Sequence, residues 1–132
     1  MKQPRITFLT DRMITGHGVD LVVDRIADGL SKKGYFCEVY ANHVDETFAN
    51  RKSYKIYKLP PVGLANFYVL EQRVKKFAKF FNSRDTDLYI TQSYPFHSLI
   101  PLLKKPSIVV DHGVVLTSGM SLKRRIFFKY LQ

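Results

Sequence analysis

Apolar and polar positions follow two different periods along the chain, and these periods predict strands and helices in alternation. Ile6–Leu9 is a short β-branched and aromatic run that suits a buried strand. After a turn-rich segment, apolar residues recur at helical spacing from Val19, and two lysines before Gly34 suit the end of a helix. Residues 36–41 become extended again, so this part of the chain predicts a βαβ unit with parallel strands.

The same alternation continues to the end of the sequence. Residues 54–59 predict a strand near a sheet edge, because Pro60 and Pro61 stop it. Residues 64–82 predict the longest helix, whose apolar stripe consists of Phe67, Leu70, Val74, Phe77, Ala78 and Phe81. The remaining predicted elements are strands at 88–91 and 107–110, a short helix at 96–103 between them, and a helical tail at 122–132.

This order of elements predicts a Rossmann-like α/β fold. We expect a doubly wound, mostly parallel sheet in a single domain spanning residues 1–132, since domains most often contain ~100–150 residues. Such sheets bind ligands at the carboxyl ends of their strands. Three loops fall at such ends, at 11–18, 92–95 and 112–119, and their convergence in space predicts the functional site.

The net charge of +10 favours an anionic partner, such as a phosphate, a nucleic acid or an anionic membrane surface. Basic residues concentrate between residues 64 and 84, and no acid follows Asp111. A basic surface that serves only solubility explains the same charge. Nucleic acid is not an expected partner, because the sequence has no pattern typical of a recognition helix, an OB-fold or an RRM.

The cysteine content and the hydropathy of the sequence indicate the cell compartment in which the protein is expected. Cys37 is the one cysteine, so an intramolecular disulfide is excluded, and its apolar surroundings predict a small buried side chain. We expect a cytoplasmic protein, because the N-terminus has no signal-peptide pattern and no apolar run approaches the ~20 residues of a membrane span. The four histidines show no metal-ligand spacing, so neither a metal nor a cofactor is expected.

Candidate binding residues lie in the loop from Thr15 to Asp20. Gly16 and Gly18 flank His17 there, and glycines let a backbone approach a ligand closely while the following helix N-terminus offers N–H groups to a phosphate. The loop is neither a P-loop nor the dinucleotide fingerprint. A tight turn without a ligand would need the same glycines, and that alternative stays open.

Two further candidates follow later strands. His112 comes directly after the clearest β run, where it could hydrogen-bond a substrate hydroxyl or act near a reacting centre. A histidine held in the core or at a cap is the alternative. The loop that closes the preceding strand offers Ser93 or Tyr94 as a contact for a sugar or lipid acceptor, while Pro95 suits the start of the next helix.

Five segments together carry a resemblance to a known family: Ile6–Thr10, Gly16–Asp20, Leu30–Tyr35, Asp87–Ile90 and Ile108–Gly113. In order and spacing the chain resembles the N-terminal, acceptor-side domain of family 4 glycosyltransferases with the GT-B fold. The resemblance implies metal-independent sugar transfer, with retention of configuration, from a nucleotide-sugar to a glycan or lipid-linked acceptor. It also implies that the last strands of this domain and a C-terminal donor-binding domain lie outside these residues, in cis or on a separate chain.

The resemblance assigns roles to the candidate residues. Gly16 and Gly18 would line the cleft near the donor phosphates, and His17 stands where the family usually has a glycine. His17 and Tyr94 are candidates for the same substrate site from their positions in the loops. His112 would match the catalytic-cleft histidine close to the transferred sugar. The resemblance implies a hexosyltransferase once the C-terminal domain completes the cleft, and an inactive chain without it. The alternative function is a stand-alone Rossmann-like module that binds a phosphorylated or sugar ligand without catalysis.

A membrane-facing surface is a separate expectation. Arg73, Lys76 and Phe80 lie off the apolar stripe of the predicted helix 64–82 and could rest on anionic headgroups, which would place the protein at the cytoplasmic face of a membrane. The alternative is a helix that only packs on the sheet through its stripe.

Overall fold

The computed structural model describes residues 3–14, 18–46, 50, 53–60, 67–92 and 96–110. Its centre is a five-stranded sheet with the order β3-β2-β1-β4-β5, in which every neighbouring pair is parallel. The strands are β1 (Arg5–Met13), β2 (Phe36–Val44), β3 (Lys55–Lys58), β4 (Leu88–Thr91) and β5 (Ser107–Val109). The expected Rossmann-like α/β architecture is therefore confirmed, and the strand predicted near a sheet edge is the edge strand β3.

The helices are α1 (Gly18–Lys32), α2 (Phe67–Lys75), α3 (Ala78–Asn82) and a 3-10 helix (Phe96–Leu102). The expectation of a single longest helix over 64–82 is wrong. The chain leaves the α-helix after Lys75, where Phe77 N–H bonds the carbonyl of Val74 at 2.9 Å in a tighter three-residue turn. Side-chain packing determines the backbone path at this break, because Phe77 and Ala78 lie partly buried beside the fully buried Val74 and Phe81. The predicted tail helix at 122–132 lies outside the described residues.

Each face of the sheet has its own apolar core. The face under α1 buries Phe8, Val23, Ala27, Val39 and Cys37, so the prediction for the lone cysteine is confirmed. The opposite face is built from Leu9, Tyr40, Leu59, Val74, Phe81, Tyr89, Phe96 and Leu99. The clearest β run of the sequence forms the other edge of the described sheet, where Ile108 and Val109 are each about half exposed.

A charged pair lies within the second core. Glu38 is buried on β2, and its Oε2 accepts a hydrogen bond from Arg84 Nη2 at 3.2 Å, while its Oε1 accepts one from Thr7 Oγ1 at 3.1 Å. The Thr7 hydroxyl also lies 2.8 Å from that of Thr86. A buried carboxylate needs such partners, because an unpaired one is costly to remove from water. This network fixes the segment between α3 and β4 against the sheet.

Candidate functional site

The predicted site lies where the direction of strand order reverses. β1 has β2 on one side and β4 on the other, and the chain reaches β4 only after passing through β3. β4 ends beside Leu9 of β1, since Gln92 N–H bonds the Leu9 carbonyl at 2.9 Å, and β1 continues to Met13. β5 ends beside β4, with Val110 N–H bonded to the Thr91 carbonyl at 2.9 Å. Open α/β sheets bind their ligands at this reversal.

Polar side chains are buried along this carboxyl edge. Among the described residues, most of the buried polar side chains belong to it: Thr10, Asp20, Asn42, Thr91 and Gln92. The centre of the sheet is apolar by comparison, apart from the network around Glu38. Buried polar groups carry a desolvation cost, so their concentration at one edge is typical of a binding site.

Asp20 connects the residue after β1 to the first turn of α1. It lies in the first turn of α1 with 2% of its surface exposed, and its Oδ2 accepts a hydrogen bond from the Ile14 N–H at 2.9 Å. Arg12 Nε lies 3.6 Å from the same oxygen. An acid in the first turn is also favoured by the helix dipole. Asp20 thereby holds both ends of the segment that contains the predicted glycines.

Asn42 and Asp11 form a pair at the ends of β2 and β1. Asn42 Nδ2 donates to Asp11 Oδ1 at 3.3 Å, and Asn42 is 96% buried, with 4% of its surface exposed. Its carbonyl oxygen Oδ1 has no hydrogen-bond partner among the described residues. A buried acceptor without a donor costs about 1–3 kcal/mol, so an additional donor at this oxygen would be favourable.

A second polar pair follows β4. The Thr91 hydroxyl lies 2.7 Å from His97 Nδ1, at the start of the 3-10 helix. Thr91 is fully buried and His97 is half-buried. This contact fixes the direction in which the 3-10 helix leaves the carboxyl edge. His97 is therefore a positioned histidine near the edge that sequence reasoning did not select.

The structure places one of the predicted loop residues and leaves the others outside its description. Gly18 begins α1 at the carboxyl edge and is exposed. A Cβ added there would meet no atom within 4 Å, so local packing does not require a glycine at this position. Gly16, His17, Tyr94 and His112 lie outside the described residues.

The predicted membrane-facing residues lie on the segment from α2 to α3. Lys76 is exposed at the break between the two helices, and Phe80 is 43% exposed on α3. Arg73 is half-buried within α2. These three positions are therefore not equally accessible. No helix in the described part of the chain has the length and apolar character needed to cross a membrane.

Sequence reasoning missed Asn42 and Thr91 as site residues, and it included Asp20 only as the last residue of the candidate loop. Their common signal is a polar residue at the carboxyl end of a predicted strand or in the first turn after it. Asn42 falls just after a β-rich run that predicts a strand ending at residue 41, whereas β2 continues to Val44. Within the described residues, no group of three or more histidine, cysteine or acidic side chains could hold a metal ion.

Comparison with known proteins gives a structural neighbour. The C-terminal domain of a hydrogenase from Pyrococcus furiosus resembles this chain with a TM-score of 0.54 and 20% sequence identity, covering 83% of this chain and 92% of that one. The likeness shows the fold. Neither a scan against protein-family models nor a search of curated proteins gave a match.

Proposed function

We propose that this chain is the acceptor-binding, Rossmann-like domain of a retaining, metal-independent glycosyltransferase. The observation that carries the proposal is the polar carboxyl edge at the reversal of strand order, where Thr10, Asn42 and Gln92 are buried on or just after three neighbouring strands. A GT-B enzyme needs its N-terminal domain to present this edge to the cleft. The order of sequence segments that resembles family 4 supports the same assignment.

The acceptor would contact Asn42 and Asp11. A sugar presents several hydroxyl donors, and this pair offers a carboxylate together with a buried amide oxygen that lacks a donor among the described residues. The exposed N-terminus of α1 at Gly18 would face the phosphates of a nucleotide-sugar supplied by a second domain. His112, and with it Tyr94, would complete the site beside the transferred sugar.

The binding step can be tested on the 132-residue chain. Octyl β-glucoside below its micellar concentration serves as the acceptor probe and uridine diphosphate glucose as the donor probe, with backbone amide shifts as the readout. We expect the glycoside to shift the amides around Asn42 and Gln92. Asn42→Ala should abolish those shifts, whereas Ser107→Ala on the edge strand β5 should keep them. A glycoside that leaves this edge unchanged would contradict the proposal.

The catalytic step requires a protein that contains both halves of the cleft. There His112→Ala should lower turnover far more than it changes the melting temperature, because a cleft histidine acts on the reaction rather than on the fold. Equal losses of turnover and stability would make His112 a structural residue. If proteins that contain both halves of the cleft bind sugar without transferring it, the stand-alone binding module is favoured instead.

The peripheral membrane association is a separate part of the proposal. Lys76 and Lys79 are exposed near Phe80, and each lysine close to an anionic surface contributes about 1 kcal/mol to binding. We expect the chain to sediment with phosphatidylglycerol vesicles more than with phosphatidylcholine vesicles. Lys76→Gln with Lys79→Gln should remove that difference, and binding that ignores lipid charge would contradict it.

A further inference from the structure

A cavity of about 480 Å³ lies between the edge strand β3 and the helix α3, on the sheet face opposite α1. Ligand sites for small molecules span roughly 300–1,000 Å³, so the cavity is large enough to hold one. Its walls come from the middle of β2, the end of β3 and the segment from Phe77 to Arg84. The cavity shares none of its lining residues with the polar carboxyl edge described above.

The walls of the cavity are mainly aromatic. Tyr40 and Tyr57 face each other across β2 and β3 and stack with ring centroids 5.1 Å apart at 26°. Phe80 meets the Tyr40 ring edge-on at 5.8 Å, and Phe77 lies on the same side. Phe80 remains 43% exposed although it contacts two buried rings. A flat apolar ligand would cover this exposed ring and pack against the aromatic walls.

The charged side chains that line the cavity are cationic. Lys58 and Arg84 line it, and the described lining residues include no acid. The Arg84 guanidinium lies 5.8 Å from the Tyr40 ring and 5.9 Å from the Phe80 ring, so it already occupies the cation–π positions of this aromatic group. Because Arg84 is paired with the Glu38 carboxylate, Lys58 supplies the net positive charge of the cavity. Arg84 Nε is buried and has no acceptor among the described residues, although Nη2 is bound to Glu38.

We propose that this cavity is a binding site for a small aromatic anion, with the flat apolar body against Tyr57 and Phe80 and the acidic group between Lys58 and Arg84. Aromatic walls select the body of the ligand, and the two cations select the sign of its charge. The site is distinct from the proposed acceptor site, because it uses none of the buried polar residues Thr10, Asp20, Asn42, Thr91 and Gln92. Its Lys58 nevertheless lies at the carboxyl end of β3, and its Phe80 is shared with the proposed membrane-facing surface.

The test compares two probes that share an anilinonaphthalene body and differ by one sulfonate group. 8-Anilinonaphthalene-1-sulfonate is the anionic probe, and N-phenyl-1-naphthylamine is its uncharged counterpart; both are titrated into the 132-residue chain by fluorescence. We expect a single site with about fivefold tighter binding of the sulfonate, the upper end of what one exposed ion pair contributes. Equal affinity for the two probes would overturn the assignment of an anion.

Variants locate the site. Lys58→Gln changes an exposed residue and should weaken the sulfonate about threefold while leaving the uncharged probe unchanged. Phe80→Ala should weaken both probes about tenfold, because it removes an aromatic wall. Ile108→Ala removes an equally exposed apolar side chain from the far edge of the sheet and should change neither.

Amide shifts give a second readout that does not depend on the variants. With the sulfonate bound, we expect the largest shifts at residues 57–60 and 77–84. Shifts spread over α1 and β5, or an affinity that Phe80→Ala leaves intact in a chain with unchanged near-ultraviolet circular dichroism, would overturn the proposal.

Discussion

The phenol of Tyr54 donates a hydrogen bond to Asp24 Oδ1 at 2.7 Å and so joins the segment before the edge strand β3 to the helix α1. Tyr54 is 4% exposed, and the residue before it makes a parallel contact, since Ser53 Oγ donates to Asp28 Oδ1 at 2.5 Å. These two bonds attach the edge strand β3 to α1 through side chains. The contact has a measurable dependence on pH.

The free energy of unfolding should fall at alkaline pH, because the buried tyrosines keep their protons more strongly in the folded chain than in the unfolded one. Burial first, and then the hydrogen bond and negative charge of Asp24, raise the pKa of Tyr54 far above its usual range. Burial, followed by the negative charge of Glu38, raises the pKa of Tyr40 and of Tyr89 to about 12. The unfolded chain loses these protons near pH ~10 while the folded chain keeps them, so this stability is complete below about pH 10 and is lost as the pH rises.

The measurement is the free energy of unfolding in guanidinium chloride between about pH 9 and pH 11. Each affected tyrosine should contribute up to about 1.4 kcal/mol per pH unit above its unfolded pKa. Tyr54→Phe should make the decline shallower, and Tyr35→Phe, which changes an exposed phenol, should leave it as it was. A decline of the same steepness in both variants would contradict the assignment.

Two glycines of the first helical unit should respond oppositely to alanine. Gly34 follows α1 with φ at +97°, and its N–H bonds the Ser31 carbonyl at 3.1 Å, so alanine there should cost about 1–2 kcal/mol. Gly29 lies inside α1 with open space around the position of a Cβ, so alanine should stabilise by about 0.5–1 kcal/mol. Urea unfolding measures the change in the free energy of unfolding for both variants, and changes of the same sign would contradict the prediction.

Replacing Arg84 should lower the free energy of unfolding more than breaking an exposed ion pair elsewhere in the chain. Arg84→Met leaves the Glu38 carboxylate buried without its cation, and about 2–3 kcal/mol should be lost, below the loss for a fully buried pair because Arg84 is one-third exposed. Lys32→Gln breaks the exposed pair with Asp28, 2.9 Å apart, and should cost far less, because solvent screens an exposed pair. Thermal unfolding of the two variants distinguishes these outcomes.

Asp20 should control the order of the β1–α1 loop. Asp20→Ala removes the acceptor of the Ile14 N–H, so that amide should exchange with solvent at least about tenfold faster, equivalent to the loss of about 1.4 kcal/mol of local protection. Arg12→Gln removes a half-exposed ion partner and should leave the exchange nearly unchanged. Unaltered exchange at Ile14 in Asp20→Ala would show that the loop is held by other contacts.

Local patterns in the sequence predicted most of the elements but not their limits. β4 occupies residues 88–91 as predicted, because a short apolar run between turn residues leaves little choice. β1 and β2 each extend several residues beyond their apolar runs, through polar residues such as Arg12 and His43. Ladder hydrogen bonds to a neighbouring strand continue there, and a sequence pattern does not contain them.

The candidate site also combines features that local patterns predict with features that only tertiary contacts decide. The sequence predicted that loops at the carboxyl ends would come together, since parallel strands of a doubly wound sheet end at one edge. It did not predict that Asp20 would bind the Ile14 N–H or that Asn42 would pair with Asp11, because these contacts depend on strand register and on the direction of α1. It also gave no sign of the cavity between β3 and α3, whose lining residues are far apart in the chain.

The sequence by itself determined the alternation of strands and helices, the parallel sheet and the basic charge, all of which follow from local periodicity and composition. The tertiary structure decided where the helix over 64–82 breaks, which polar residues are buried, and how aromatic rings and cations meet beside Phe80. These features depend on packing between segments distant in sequence. Their energies arise from contacts and desolvation that only the folded chain creates.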